Sequence, residues 1–344
     1  MTHSILTNEQ LKVFVQKLIT KGNVVGIQRK ENKYAFGPLE NVDDLTLDYD
    51  VALVPPKQYI YPQWETLLRF QTEPSVKVES VMEAEPVTVI GVHPYDLKAI
   101  NQLDRFFEDH QPDNNYLKRR AAVTIIAVTP KRASKWAFWS SMDSAHVETG
   151  YDLLLTDIGE KYVVETGTER GEDLLKKYAK TEKASTEDLQ KREKIRLSLS
   201  DMCAEKRRLA ASLKEVPALI ESSYESEVWE KQAEKCYGCG SCVLVCPTCI
   251  CFDVQEEMSL DLKEGKRWRV WDGCLLENFA KIGSGENFRE ERADRFRHRF
   301  FRKGVYLYNK FGEVHCVGCG RCSEACLPDI ADPVQVIEKL KAER

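Results

Sequence analysis

Cys236-Tyr-Gly-Cys239-Gly-Ser-Cys242-Val-Leu-Val-Cys246-Pro247 and Cys316-Val-Gly-Cys319-Gly-Arg-Cys322-Ser-Glu-Ala-Cys326-Leu-Pro328 place eight of the chain's twelve cysteines in two matching quartets. Thiols at i, i+3 and i+6 wrap a tight loop around three corners of an iron-sulfur cube. Gly238, Gly240, Gly318 and Gly320 permit the close backbone approach and positive φ that such a loop needs. The fourth cysteine begins the segment leading away and lies out of reach of the cube its own loop holds. The spacing therefore predicts two 4Fe-4S clusters.

In the two-cluster ferredoxin arrangement the fourth cysteine of each run ligates the other cluster. This assigns Cys236, Cys239, Cys242 and Cys326 to one cluster and Cys316, Cys319, Cys322 and Cys246 to the second. Such cross-ligation makes the two sites one folding unit and keeps the clusters close, as an electron relay requires. Zinc prefers two separated pairs of ligands in a tetrahedral site, and a triplet plus one would leave a thiolate idle. Disulfide frameworks belong to short secreted chains. Leu327 intervenes before Pro328 where Pro247 follows its quartet directly, which leaves the thiols untouched.

The chain has 344 residues, room for two or three domains, and a formal net charge of -5. Thiolate-bound clusters add further negative charge, so the balance argues against a general nucleic-acid binder. The one basic stretch, Arg292 to Lys303, reads as a partly exposed helix whose arginines offset the clusters' charge or dock an acidic partner. No apolar run is long enough to cross a bilayer. The first residues, Met1-Thr-His-Ser, show no secretory pattern, and a cytoplasmic protein is expected. No cysteine occurs before Cys203, which suggests a thiol-free domain joined to a metal-binding one.

Along the chain, Thr7 and Gln10 form a capping-box pattern ahead of an apolar stripe, Leu11, Phe14, Val15, Leu18 and Ile19, that Gly22 ends. Short β-rich runs follow at 23–28, 33–36, 51–54, 87–92 and 121–128. Helices are expected around 64–70 and 96–107. Residues 151–165 read as a hairpin and a helix is expected from about Gly171. The predicted fold class is α/β, an N-terminal α/β domain with a mixed sheet (1–180), a charged helical linker (181–214) and a mainly helical dicluster ferredoxin-like domain (215–344). The quartets are separated by a long insert, 247–315, in which 266–271 suggests a strand and 287–301 a helix. Gly283-Ser-Gly285-Glu-Asn-Phe288 lacks the third glycine of a dinucleotide loop, so no NAD or flavin site is visible.

Several motifs resemble the iron-sulfur subunit of anaerobic sulfite reductase, and the beta subunit of sulfhydrogenases is similar. They are Gly91-Val-His-Pro-Tyr-Asp-Leu-Lys-Ala-Ile100, Leu103-Asp-Arg-Phe-Phe107, Ser141-Met142, Gly150-Tyr-Asp-Leu-Leu-Leu-Thr-Asp157, Cys246-Pro-Thr-Cys-Ile-Cys-Phe-Asp253, Trp271-Asp-Gly-Cys274 and Asn287-Phe-Arg289. The resemblance runs from about Leu53 to Ile330. It implies an electron-transfer subunit, without catalysis of its own, between an NAD(P)H-oxidising flavoprotein and a terminal reductase, hydrogenase or heterodisulfide-reductase-like subunit in anaerobic metabolism. Many relatives carry cysteines in the loop before Ser141-Met142 and in an Arg-Pro-Cys-Asp form of the earlier motif; this chain has Trp136, Trp139 and Ser140 in that loop and His93 and Tyr95 in the motif, so no N-terminal cluster is expected.

Two questions stay open at the sequence level. Cys249, Cys251 and Cys274, with Cys203 further away, either bind another cluster, contact a partner's flavin or simply pack. His315 either tunes a potential or lies at the surface, the second being the expectation. The alternative function is a stand-alone reductase with Asp96, His93 or Lys57 in a substrate site at the ends of the α/β strands.

Overall fold

The computed structural model describes residues 3–344. Among them are twelve strands: β1 (His3–Thr7), β2 (Val24–Lys30), β3 (Lys33–Pro38), β4 (Trp64–Gln71), β5 (Lys77–Ser80), β6 (Val87–Val92), β7 (Val123–Val128), β8 (Leu153–Asp157), β9 (Lys161–Thr166), β10 (Glu182–Lys183), β11 (Phe252–Met258) and β12 (Glu264–Trp271). Eight make one mixed sheet in the order β10-β1-β9-β8-β7-β6-β2-β3. Its centre is parallel, β2 with β6, β6 with β7 and β7 with β8. β7, Val-Thr-Ile-Ile-Ala-Val, is buried along its whole length, which explains why it reads as a continuous apolar run.

The flanking helices follow their local signals. Helix Asn8–Lys21 begins with the Thr7/Gln10 capping box and buries Leu11, Phe14, Val15 and Leu18 against the sheet. Helix Pro94–Glu108 starts with proline in its first turn and buries Leu97, Ile100, Leu103 and Phe107. Each such side chain contributes roughly 1.5–3 kcal/mol by leaving water. The hairpin β8-β9 and the helix Glu169–Tyr178, capped by Thr168, complete this layer.

The C-terminal part is mainly helical. Val216–Glu221, Val228–Ala233, Arg292–Phe301 and Pro333–Ala342 pack around Trp229, Phe296, Phe300, Phe301, Val336 and Leu340. The fold class read from the sequence is thus an α/β sheet domain followed by a helical region.

Three local expectations are corrected. Trp64–Gln71 is strand β4, not a helix. It pairs with β5 and with β12, the latter about two hundred residues away, and diagonal cross-strand contacts such as Trp64 with Trp268, ring centroids 5.7 Å apart, override the helix-forming Leu, Glu and Arg of this stretch. Residues 51–54 make only one bridge, Tyr34 to Ala52, because Pro55-Pro56 follows and the Ala52 carbonyl accepts from Arg321 Nε at 2.7 Å. The charged stretch after 180 contains the exposed helix Thr186–Ser198, yet then buries Leu199, Cys203 and Arg207.

β11 and β12 come from the insert between the quartets, and β4 and β5 from the N-terminal half. The four form one sheet, β11-β12-β4-β5. Buried Arg269 joins Glu65 and Asp113 across it, and Arg119 pairs with the same Glu65 at 2.9 Å. The insert therefore ties the two halves together.

Candidate iron-sulfur site

Both cysteine loops adopt the backbone their glycines allow. φ is +66° at Gly238, +72° at Gly240, +65° at Gly318 and +82° at Gly320, and each loop ends in a helical turn, Ser241–Leu244 or Arg321–Glu324. The loop itself aims a backbone N–H at sulfur, Gly238 N donating to Cys236 Sγ at 3.4 Å.

Cys236, Cys239, Cys242 and Cys326 line one cavity. Cys246, Cys316 and Cys322 line a second, together with Arg299 and Lys303. Cys319 lies within electrostatic reach of Cys246 and Cys322. The fold brings the fourth cysteine of each run to the loop of the other. Among the described residues, no three His, Cys, Asp or Glu side chains converge where a single ion could sit. The thiols stand around each cavity, as corners of a larger inorganic body require.

Burial pushes the thiols of Cys242 and Cys316 up to about 12. They lose their protons only when a metal takes them, so cluster binding and thiolate formation are linked. Cations are in place for the charge that results. Arg299, nearly fully buried, donates to Ala331 O at 2.9 Å, and its buried Nε has no partner among the described residues. Burial opposes its charge, and the thiols of Cys242, Cys322, Cys246 and Cys274 favour it strongly enough to raise its pKa. Arg299 thus lines the second cavity and lies within electrostatic reach of Cys242 in the first set.

Lys303 sits in a π-turn, Arg302–Tyr306, that interrupts the helix continuing from Arg292, a local widening typical of functional positions. Its Nζ lies 3.3 Å from Cys246 Sγ and donates to Thr248 Oγ1 at 2.7 Å. Within 292–303, read from sequence as arginines that offset cluster charge or dock an acidic partner, Arg299 faces the thiols; Lys303 was not singled out, and a lysine one helical turn beyond Arg299 was the signal.

The second loop is roofed by the α/β domain. Phe138 N donates to Gly318 O at 2.8 Å, and Ser144 Oγ to Val317 O at 2.7 Å. A Cβ on Gly318 would lie 2.6 Å from the Trp139 backbone, and one on Gly320 2.6 Å from that of Trp136. The loop bearing Trp136 and Trp139, and the turn at His93, follow the carboxyl ends of β7 and β6. That is where open α/β sheets commonly receive a ligand. Here the place is taken by the chain's own second cysteine loop. Arg321, inside that quartet, makes a bidentate pair with Asp96 at 2.6 and 2.7 Å.

Asp96, His93 and Lys57, named for the alternative substrate site, are accordingly buried. His93 stacks on Tyr49 with ring centroids 3.9 Å apart and shares a 2.8 Å hydrogen bond with the Tyr95 hydroxyl. Burial first, then Arg321, holds it well below the usual histidine pKa and so neutral. His315 is corrected from a surface residue to one 1% exposed. Burial, then Lys303, lowers it to about 3, and its backbone carbonyl accepts from Thr248 Oγ1 at 2.7 Å. Cys203 packs beside Tyr95, Trp139 and Cys319.

The first set differs in being open to the outside. Cys239 is exposed, flanked by Tyr237 at 73% and Leu327 at 89% exposure. Paired thiol sets, positive-φ glycine loops and a buried guanidinium whose Nε has no partner among the described residues fit two cubes. Residues 235–330 match the family of 4Fe-4S dicluster domains. The dicluster domain carries two 4Fe-4S clusters, which when bound each take up and release one electron at a time.

Over 342 residues, 99% of each chain, the protein is 28% identical to sulfhydrogenase 2 subunit beta of Pyrococcus furiosus. The match bears out the resemblance to sulfhydrogenase beta subunits and extends it from the 53–330 stretch to nearly the whole chain. The protein is an iron-sulfur electron-transfer protein with a dicluster domain. No helix among the described residues is long and apolar enough to cross a membrane.

Proposed function

We propose that the chain is the electron-transfer subunit of a cytoplasmic oxidoreductase complex, passing single electrons between an NAD(P)H-oxidising flavoprotein and a terminal reductase or hydrogenase. Cys236, Cys239, Cys242 and Cys326 hold the cluster nearer the surface, and Cys316, Cys319, Cys322 and Cys246 the one beneath the α/β domain. In this reading residues 1–180 roof the inner cluster, 181–214 connect, and 215–344 hold both clusters.

The observation that carries the reading is the exchange of fourth cysteines between the two cavities, with Arg299 lining the inner one within electrostatic reach of Cys242. Likeness to a subunit of a sulfhydrogenase supports the partners' class. Electrons exchange at the Cys239 edge, where Tyr237 and Leu327 offer an apolar contact to a docking protein.

The test is anaerobic affinity purification of the chain from its host, followed by NAD(P)H addition. A co-purified flavoprotein should be required for NAD(P)H to bleach the cluster absorbance. Bleaching of the isolated chain by NAD(P)H, or substrate turnover without partners, would favour the stand-alone reductase.

A further inference from the structure

Three cysteines outside the two sets are not scattered. Cys249 follows the ligand candidate Cys246 by one turn, its N–H donating to Cys246 O at 3.2 Å. Cys251 and Cys274 are separated in sequence by the β11-β12 hairpin, whose ends pair Phe252 with Trp271. The hairpin acts as a clasp, closed further by Asp272 N donating to Cys251 O at 3.2 Å. Gly273 lets the returning chain pass, since a Cβ there would lie 2.4 Å from Val243. Cys249 and Cys274 are buried, Cys251 is half-buried, and all three pack into the core that contains Cys246.

Positive side chains surround this trio. Lys57 is 2% exposed, donates to Cys249 O at 2.8 Å and lies 4.1 Å from the centre of the Trp271 ring. Among the described residues no carboxylate pairs with it. Lys303 and Arg302 face Cys249 and Cys251, and Arg299 and Arg289 face Cys274. Opposing them are two nearby carboxyls, Asp253 and Asp272, the latter pushed up by burial. Metal-bound thiolates beside Lys57 would supply the negative charge that no carboxylate gives it.

The geometry points to a third iron-sulfur centre held by Cys249, Cys251 and Cys274, adjoining the inner cluster at Cys246 and reaching the surface at Cys251. This rests on the two-cluster reading for its neighbour. It supplies what that reading lacks, a second end to the wire. Electrons entering at the Cys239 edge pass the inner cluster and leave through the trio, or the reverse, one at a time. Lys57 is a positioning and charge-balancing residue for this centre.

The test is iron and acid-labile sulfide per chain on the anaerobically purified full-length protein, beside Cys249→Ser/Cys251→Ser/Cys274→Ser. Two clusters account for about eight irons. The wild type should exceed that count, and the triple variant should fall to it while keeping the electron paramagnetic resonance of the two clusters. An equal count of about eight in both proteins overturns the third centre and leaves the other two standing. Zinc at the trio, or a Cys249–Cys251 disulfide in fresh anaerobic wild type, overturns it as well. A count well below eight in the wild type overturns the two-cluster reading and this one with it. Cys251→Ser alone, at the half-buried corner, serves if the triple variant does not fold, and should lose the same iron.

Discussion

Arg321 and Arg299 show how single side chains set the site. In the sequence Arg321 was simply one residue of its quartet, and Asp96 a candidate for an alternative substrate site. The reason is that their pairing spans 225 residues and no local pattern announces it. Removing one partner of a buried pair strands the other charge, so Arg321→Met should lower unfolding free energy by about 3–5 kcal/mol, read by denaturant titration under anaerobic conditions. Arg299 acts on electrons instead. Reduction adds negative charge next to a guanidinium that favours it, so Arg299→Leu should lower the midpoint potentials of both clusters, with Arg299→Lys in between. A potentiometric titration that finds them unmoved would show that Arg299 only packs.

At the scale of elements, the two cysteine loops share a spacing but not an environment. Their positive-φ glycines were legible, since no other residue suits such tight turns; the roof over the second loop was not, since it is made by Trp136 to Trp139 from another domain. Alanine tests the difference. Gly238→Ala meets nothing nearer than 3.9 Å and should cost only the backbone strain of about 1–2 kcal/mol. Gly318→Ala adds a clash at 2.6 Å with the Trp139 backbone and should lower the melting temperature further and empty the inner cluster first. Iron counts and melting curves of the two variants check the order. β4 carries the same lesson. A strand whose partner lies in a distant insert reads as a helix until that partner is known.

For the whole molecule, the strongest signals were those in which local chemistry is repeated: two quartets, the central strands, the capped first helix. What sequence left open was where the parts meet. The carboxyl ends of β6 and β7 receive a cysteine loop rather than a substrate, and the insert between the quartets stitches the N-terminal half to the C-terminal half. The account stands on two clusters that exchange their fourth thiolates. The most direct measurement is electron paramagnetic resonance during anaerobic redox titration of the wild type and of Cys326→Ser. The account predicts at least two reducible clusters with mutually broadened signals, and a change in the variant at the cluster of Cys236, Cys239 and Cys242. A change confined to the cluster of Cys316, Cys319 and Cys322, or a single magnetically isolated cluster in the wild type, would contradict it.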